Sequence, residues 1–164
     1  MTDQQQSWLR VDHVPGFSDP ADAAVWSIRL FLAHVSIGRQ SPELLDVALR
    51  GSFGERGRTA FKRMMHELVG YRGTALPIPE PGDVALAEHE QLVLDCVQAS
   101  NQEDSNALYL SLLSLVGYER ASGLRVHSQA LASSFIRFRT TDGETLWSSE
   151  ARVAQSGDHE SQWH

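Results

Sequence analysis

"PELLDVALRGSFGERGRTAFKRMMHELVG", residues 42–70, holds two helix patterns around a cluster of glycines. We expect one helix over residues 42–50, which Gly51 terminates, and a second helix over residues 55–69. Two short helices joined by a tight turn are typical of all-α proteins. The stretch therefore predicts a helical fold with a helix-turn-helix-like pair near its centre.

The second helix of this pair has a distinct inner and outer face. Ser52 followed by Glu55 fits a capping box at its start. Its apolar positions recur at helix spacing and predict the inner face: Phe61, Met64, Met65 and Leu68. Its outer face and edge carry the candidate binding residues: Arg56, Thr59, Lys62, Arg63 and His66. These side chains suit phosphates and guanine edges, although a basic solvent-facing side is also usual for a helix that binds nothing.

A phosphate-binding loop is excluded in the same stretch. The Walker pattern needs four residues between its two glycines, and then Lys followed by Ser or Thr. Here five residues separate Gly51 from Gly57, and Arg58 stands at the lysine position. The residues before the glycines have helix spacing, whereas that loop follows a strand.

Outside this stretch, further helices begin and end at recognisable residues. The first helix should run from Ala21 to Ser36, after a start at Asp19-Pro20 and before Gly38. It is apolar on two faces, which predicts either a central position or a subunit interface. Three more helices are expected over residues 86–99, 101–116 and 124–135, the middle one with a capping box formed by Ser100 and Glu103.

The sequence thus predicts an all-α fold, a compact bundle of five to six helices. Asp142-Gly143 between β-favouring residues indicates a small C-terminal hairpin over residues 136–147. The expected domain layout is an N-terminal extension 1–17, one helical domain 18–147 with halves 18–70 and 84–140 joined by a proline-rich crossing 71–83, and a flexible polar tail 148–164.

Composition and charge limit the classes of partner. The 164 residues have a net charge of -7, which disfavours nucleic acid and anionic membranes, and no apolar run is long enough to span a bilayer. The single cysteine indicates a cytoplasmic protein. Residues 50–72 hold six Lys/Arg against two Glu, and residues 81–120 hold seven acids against one Arg. These two segments are expected to face each other across the fold or across a subunit contact.

Chemical motifs are absent, so we expect neither an enzyme nor a cofactor. His89 and Cys96 lie seven residues apart beside Asp95, but a metal site built from these three residues would need ligands from another helix. Two helices apolar on almost every side are hard to bury in one short chain. We therefore expect a cytoplasmic interaction or regulatory protein that acts as a homodimer through helical surfaces. The alternatives are a DNA-binding regulator using the pair 42–50/55–69 and a small-molecule or metal-binding helical protein.

Overall fold

The computed structural model describes residues 11–17, 19–38, 42–73, 76–116 and 122–134. Within these ranges the chain forms five helices and no strand: α1 (Pro20–Ile37), α2 (Pro42–Arg72), α3 (Glu88–Asn101), α4 (Ser105–Val116) and α5 (Ser122–Ser133). The prediction of an all-α fold is confirmed for these ranges. None of their helices has the length and apolarity required to cross a membrane. The predicted hairpin 136–147 and the tail 148–164 lie outside the described residues.

Helix α1 is the central helix of the fold. The Asp19 side chain caps it by accepting a hydrogen bond of 2.7 Å from the Ala21 amide, and Gly38 ends it with a φ of 71°. Every residue from 23 to 33 is buried. One chain therefore covers α1 on almost every side, and no subunit interface is needed to bury it.

Helix α2 consists of two helical arms separated by a break, so the predicted pair of helices is present, but the first arm does not end at Gly51 and the second does not end at Gly70. The break lies at Gly54, with φ 72° and ψ -177°, a conformation that is accessible essentially to glycine alone. Gly51 and Gly70 are both helical, so neither ends a helix, and the chain leaves α2 only at Gly73. Ser52 is buried inside the helix and does not begin a new one. The predicted inner face of the second arm is confirmed, since Phe61, Met64, Met65 and Leu68 are all buried.

The two arms of α2 fold back toward each other around Gly54. Lys62 Nζ lies 2.5 Å from Asp46 Oδ1, and Arg58 Nη1 lies 3.3 Å from the same oxygen. A straight helix would place residues 46 and 62 about 24 Å apart along its axis. The ion pairs can form only because the break turns the second arm back over the first.

Helix α5 runs antiparallel along the second arm of α2. His127 Nε2 lies 3.0 Å from Glu67 Oε1 near the start of α5. At its other end, Ser134 lies directly over Gly57, where a Cβ added to the glycine would fall 2.8 Å from the Ser134 Cβ. Gly57 therefore permits a close helix contact. Helix α5 also packs on α3, while α2 and α3 make no extended contact with each other.

The proline-rich crossing is fixed to the core by one buried arginine. Arg29, in the middle of α1, donates to the main-chain oxygens of Glu80 and Asp83 at 2.7 Å and of Ala85 at 3.0 Å. Its Nε and Nη2 donate to the two carboxylate oxygens of Glu90 at 2.7 and 3.0 Å. Both charged side chains are fully buried, so α1, the crossing and α3 are held together at one point.

The turn between α3 and α4 differs from its prediction. Ser100 does not cap a new helix, because it still lies inside α3 and its hydroxyl donates to the Cys96 main-chain oxygen at 2.8 Å. The Asp104 side chain instead accepts from the Ala107 amide at 3.0 Å at the start of α4. Helix α4 therefore begins at Ser105 and is shorter than expected.

Candidate functional site

Helix α4 presents an exposed apolar surface. Its inner side is formed by Leu108, Leu112 and Leu115, which are buried against the other helices. On its outer side, Tyr109 is 46% exposed, Leu110 53% and Leu113 37%. We call these three outer residues the apolar face. They lie one, three or four positions apart, so they form one continuous strip on the helix.

The apolar face stands out because α4 carries no charge. None of its twelve residues is Asp, Glu, Lys or Arg. Each of the other four helices exposes at least one charged side chain: Asp22 on α1, Arg63 on α2, Glu88 on α3 and Arg125 on α5. Solvent-facing helix surfaces normally carry charges, whereas the centres of protein interfaces are depleted of them. Helix α4 therefore differs from the other four helices in exposing apolar side chains without any charged one.

The basic residues of α2 divide into an open group and a paired group. We call Arg56, Thr59, Arg63 and His66 the basic stripe, because positions 56, 59, 63 and 66 lie on one side of the helix. Arg56 and Arg63 are exposed and make no ion pair with any residue in the described ranges. The Thr59 hydroxyl donates to the Glu55 main-chain oxygen at 3.1 Å. The His66 ring is exposed and meets the Phe31 ring edge-on, with centroids 5.1 Å apart.

The paired group is engaged inside α2. Lys62, a candidate binding residue, is half-buried and contacts Asp46, as Arg58 also does. Burial alone would raise the pKa of the Asp46 carboxyl, but hydrogen bonds and charges from these two cations outweigh it and hold the pKa below its usual value. Arg58 and Arg50 also bind Glu55, and the hydrogen bond from Arg58 is the main cause of the lowered pKa of Glu55. Much of the predicted basic segment is therefore neutralised within its own helix.

The three candidate metal ligands, His89, Asp95 and Cys96, all lie on α3. Across the described ranges, no group of three or more His, Cys, Asp or Glu side chains is placed to hold a metal ion. Cys96 is buried, and burial together with the Asp95 charge raises the pKa of its thiol to about 12. The Asp95 carboxylate accepts a hydrogen bond of 2.8 Å from the Gln91 side chain.

His89 is the most unusual of these candidates. It is only 2% exposed, and its Nε2 is buried without a hydrogen-bond partner among the described residues. Desolvation lowers the pKa of His89, and the nearby charges of Arg72 and Arg29 act in the same direction, against Glu90 and Glu88. The neutral imidazole is therefore the form that fits this position.

Two features of the structure were missed in the sequence. Arg29 lies within an almost wholly apolar helix, and that position was itself a signal of a buried ionic partner. The outer position of Tyr109, Leu110 and Leu113 had no comparable signal, because α4 is apolar on most sides. Comparison with protein-family models, with curated proteins and with solved structures finds no match to this chain.

Proposed function

We propose that this protein is an interaction or regulatory protein that binds a second copy of itself through the apolar face of α4. The observation that carries the proposal is the exposure of Tyr109, Leu110 and Leu113 on a helix without charge. Aromatic and aliphatic side chains in the centre of an interface supply most of its binding energy. The apolar face therefore has the chemistry of a helix-to-helix contact.

Net charge favours a second copy as the occupant. Two chains that each carry -7 repel each other, and association is least unfavourable where neither surface is charged. An uncharged face can meet an identical face without placing like charges opposite each other. A twofold arrangement, in which α4 of one protomer packs on α4 of its partner, satisfies this condition.

The location proposed for this activity is the cytoplasm. Cys96 is the single cysteine of the sequence and is buried as a free thiol. A reduced, unpaired cysteine suits a reducing compartment.

DNA binding through α2 has less support than self-association through the apolar face. Only Arg56 and Arg63 of the basic stripe are cations without an ion pair inside the described ranges, while Asp46 and Glu55 pair with Arg50, Arg58 and Lys62. A chain with a net charge of -7 is repelled by DNA, and two arginine contacts with phosphates contribute little binding free energy against that repulsion.

The proposal is tested by placing a charge in the apolar face. Leu110→Glu is expected to lower the mass measured by multi-angle light scattering at micromolar concentration from that of a dimer to that of a monomer. Val126→Glu is the matched control, because Val126 is 59% exposed on α5 and the substitution introduces the same charge. A monomeric mass for the unmodified chain would overturn the proposal, as would a dimer that Leu110→Glu leaves intact while circular dichroism shows an unchanged fold.

A further inference from the structure

Two charged surfaces, one on α2 and one on α3, have the same residue spacing and opposite charge. On α3, Glu88, Gln91 and Asp95 lie on one side of the helix, and we call them the acidic stripe. Glu88 and Gln91 are exposed, and Asp95 is half-buried. Arg56, Thr59 and Arg63 of the basic stripe follow the same order: a charged residue, a neutral polar residue three positions later, and a charged residue seven positions after the first.

The spacing allows both charges of one stripe to meet both charges of the other. Seven residues make almost two full helical turns, so the end charges of each stripe point the same way and lie about 10.5 Å apart along the helix axis. Two helices packed side by side therefore bring Arg56 and Arg63 opposite Glu88 and Asp95 in either direction. The intervening Thr59 and Gln91 are small or flexible enough to leave room for the pairs.

Within one chain the two stripes do not meet. Helix α5 packs on both α2 and α3, which make no extended contact with each other. Arg56 and Arg63 have no ion-pair partner in the part of the chain that is described. The two stripes therefore do not meet the expectation that the basic and acidic segments face each other within one chain.

We propose that the basic stripe of one copy binds the acidic stripe of a second copy. This contact is additional to the apolar face and joins unlike surfaces. Two copies can make it reciprocally about a twofold axis, or each copy can bind the next in a ring or a chain of protomers. A protein surface with two matched carboxylates suits the basic stripe better than nucleic acid does, because three of the six cationic side chains of α2 already form ion pairs inside the helix. Contacts between exposed charges weaken as salt screens them, which separates this association from that of the apolar face.

The test is sedimentation equilibrium of the full chain at low and at high salt, about 25 and about 300 mM NaCl. The unmodified protein should form species larger than the apolar-face dimer at low salt and lose them at high salt. Arg56→Glu/Arg63→Glu is expected to weaken this salt-sensitive association by on the order of tenfold or more, as is Glu88→Lys/Asp95→Lys. Mixing the two double variants should restore it, because the intact acidic stripe of the first matches the intact basic stripe of the second, and the two reversed stripes also match each other.

Two controls make the result decisive. Arg125→Glu/Gln129→Glu adds negative charge at two exposed positions of α5, outside both stripes, and should leave the association in place. Arg56→Gln/Arg63→Gln removes the stripe charges without reversing them and should weaken the association, though less than Arg56→Glu/Arg63→Glu does, with the fold intact. Failure of the mixture to associate, or no salt-sensitive species in the unmodified protein, would overturn the proposal while leaving the apolar face untouched. Binding of a DNA duplex that needs Arg56 and Arg63 but tolerates Glu88→Lys/Asp95→Lys would assign the stripe to nucleic acid instead.

Discussion

Replacing Glu90 with glutamine should be among the most destabilising conservative substitutions in this chain. Glu90 is fully buried, and both of its carboxylate oxygens accept hydrogen bonds from Arg29. Glu90→Gln keeps the size and shape of the side chain and removes its charge. The Arg29 guanidinium then stays buried with three main-chain oxygens as partners but no negative charge.

The size of the effect follows from this arrangement. Removing one partner of a buried ion pair costs about 3–5 kcal/mol, because the remaining charge is left without compensation. The amide of the variant also accepts one hydrogen bond where the carboxylate accepted two from Arg29. With a urea dependence of about 2 kcal/mol per M, a loss of about 4 kcal/mol lowers the unfolding midpoint by about 2 M.

The assay is urea unfolding followed by circular dichroism. Glu88→Gln is the matched control, since it makes the same chemical change two residues away on the exposed side of α3. Its cost should stay below about 1 kcal/mol, the contribution of one carboxylate at a helix N-terminus. If Glu90→Gln shifts the midpoint no more than Glu88→Gln does, then Arg29 relaxes into solvent and the buried pair does not hold the crossing in place.

Local chemistry made α1 predictable. An aspartate before a proline at its start and a glycine after its last turn gave bounds within one residue of those observed, Pro20–Ile37. Its apolar residues on two faces indicated a central helix or a subunit interface, and the burial of residues 23–33 within one chain agrees with the first. The inner face of the second arm of α2 was equally clear from its periodicity.

The break in α2 could not be placed in the same way. Gly51 and Gly54 are equally permissive as residues, and only the contacts of the folded chain decide which one turns. Phe53 lies between the two glycines and is buried. Asp46 and Lys62 are each eight residues from Gly54, so a turn at Gly54 brings these two side chains opposite each other. The sequence alone does not contain that geometry. The pairing of Arg29 with Glu90 is a similar case, because it joins residues 61 positions apart.

The candidate surfaces could be predicted from the sequence only on helices that have one polar and one apolar face. Arg56 and Arg63 were assigned to an outer face because Met64 and Met65 required an inner one, and both arginines are exposed. Leu110 could not be assigned, because apolar residues at nearly every position of α4 fit a buried helix equally well. Periodicity identifies an inner side only when the outer side is polar. An exposed apolar face therefore cannot be recognised from hydrophobic periodicity alone.

Two further substitutions probe packing and protonation. Gly57→Ala should destabilise the fold by about 1–3 kcal/mol despite the higher helix propensity of alanine, since the added Cβ would lie 2.4 Å from the Phe53 Cβ. Gly70→Ala, in open space on the same helix, should instead stabilise the fold by up to about 1 kcal/mol. Equal urea midpoints for the two variants would contradict the close approach of Phe53 and Ser134 to Gly57. His89 binds its proton less readily in the folded than in the unfolded chain, so its contribution to stability is complete above the unfolded pKa of about 6.5 and is lost as the pH falls below it. His89→Gln should therefore lose less stability than the unmodified protein between about pH 7.5 and about pH 5.5. If the urea midpoints of the two proteins change by the same amount over that pH range, the imidazole reaches water when it is protonated.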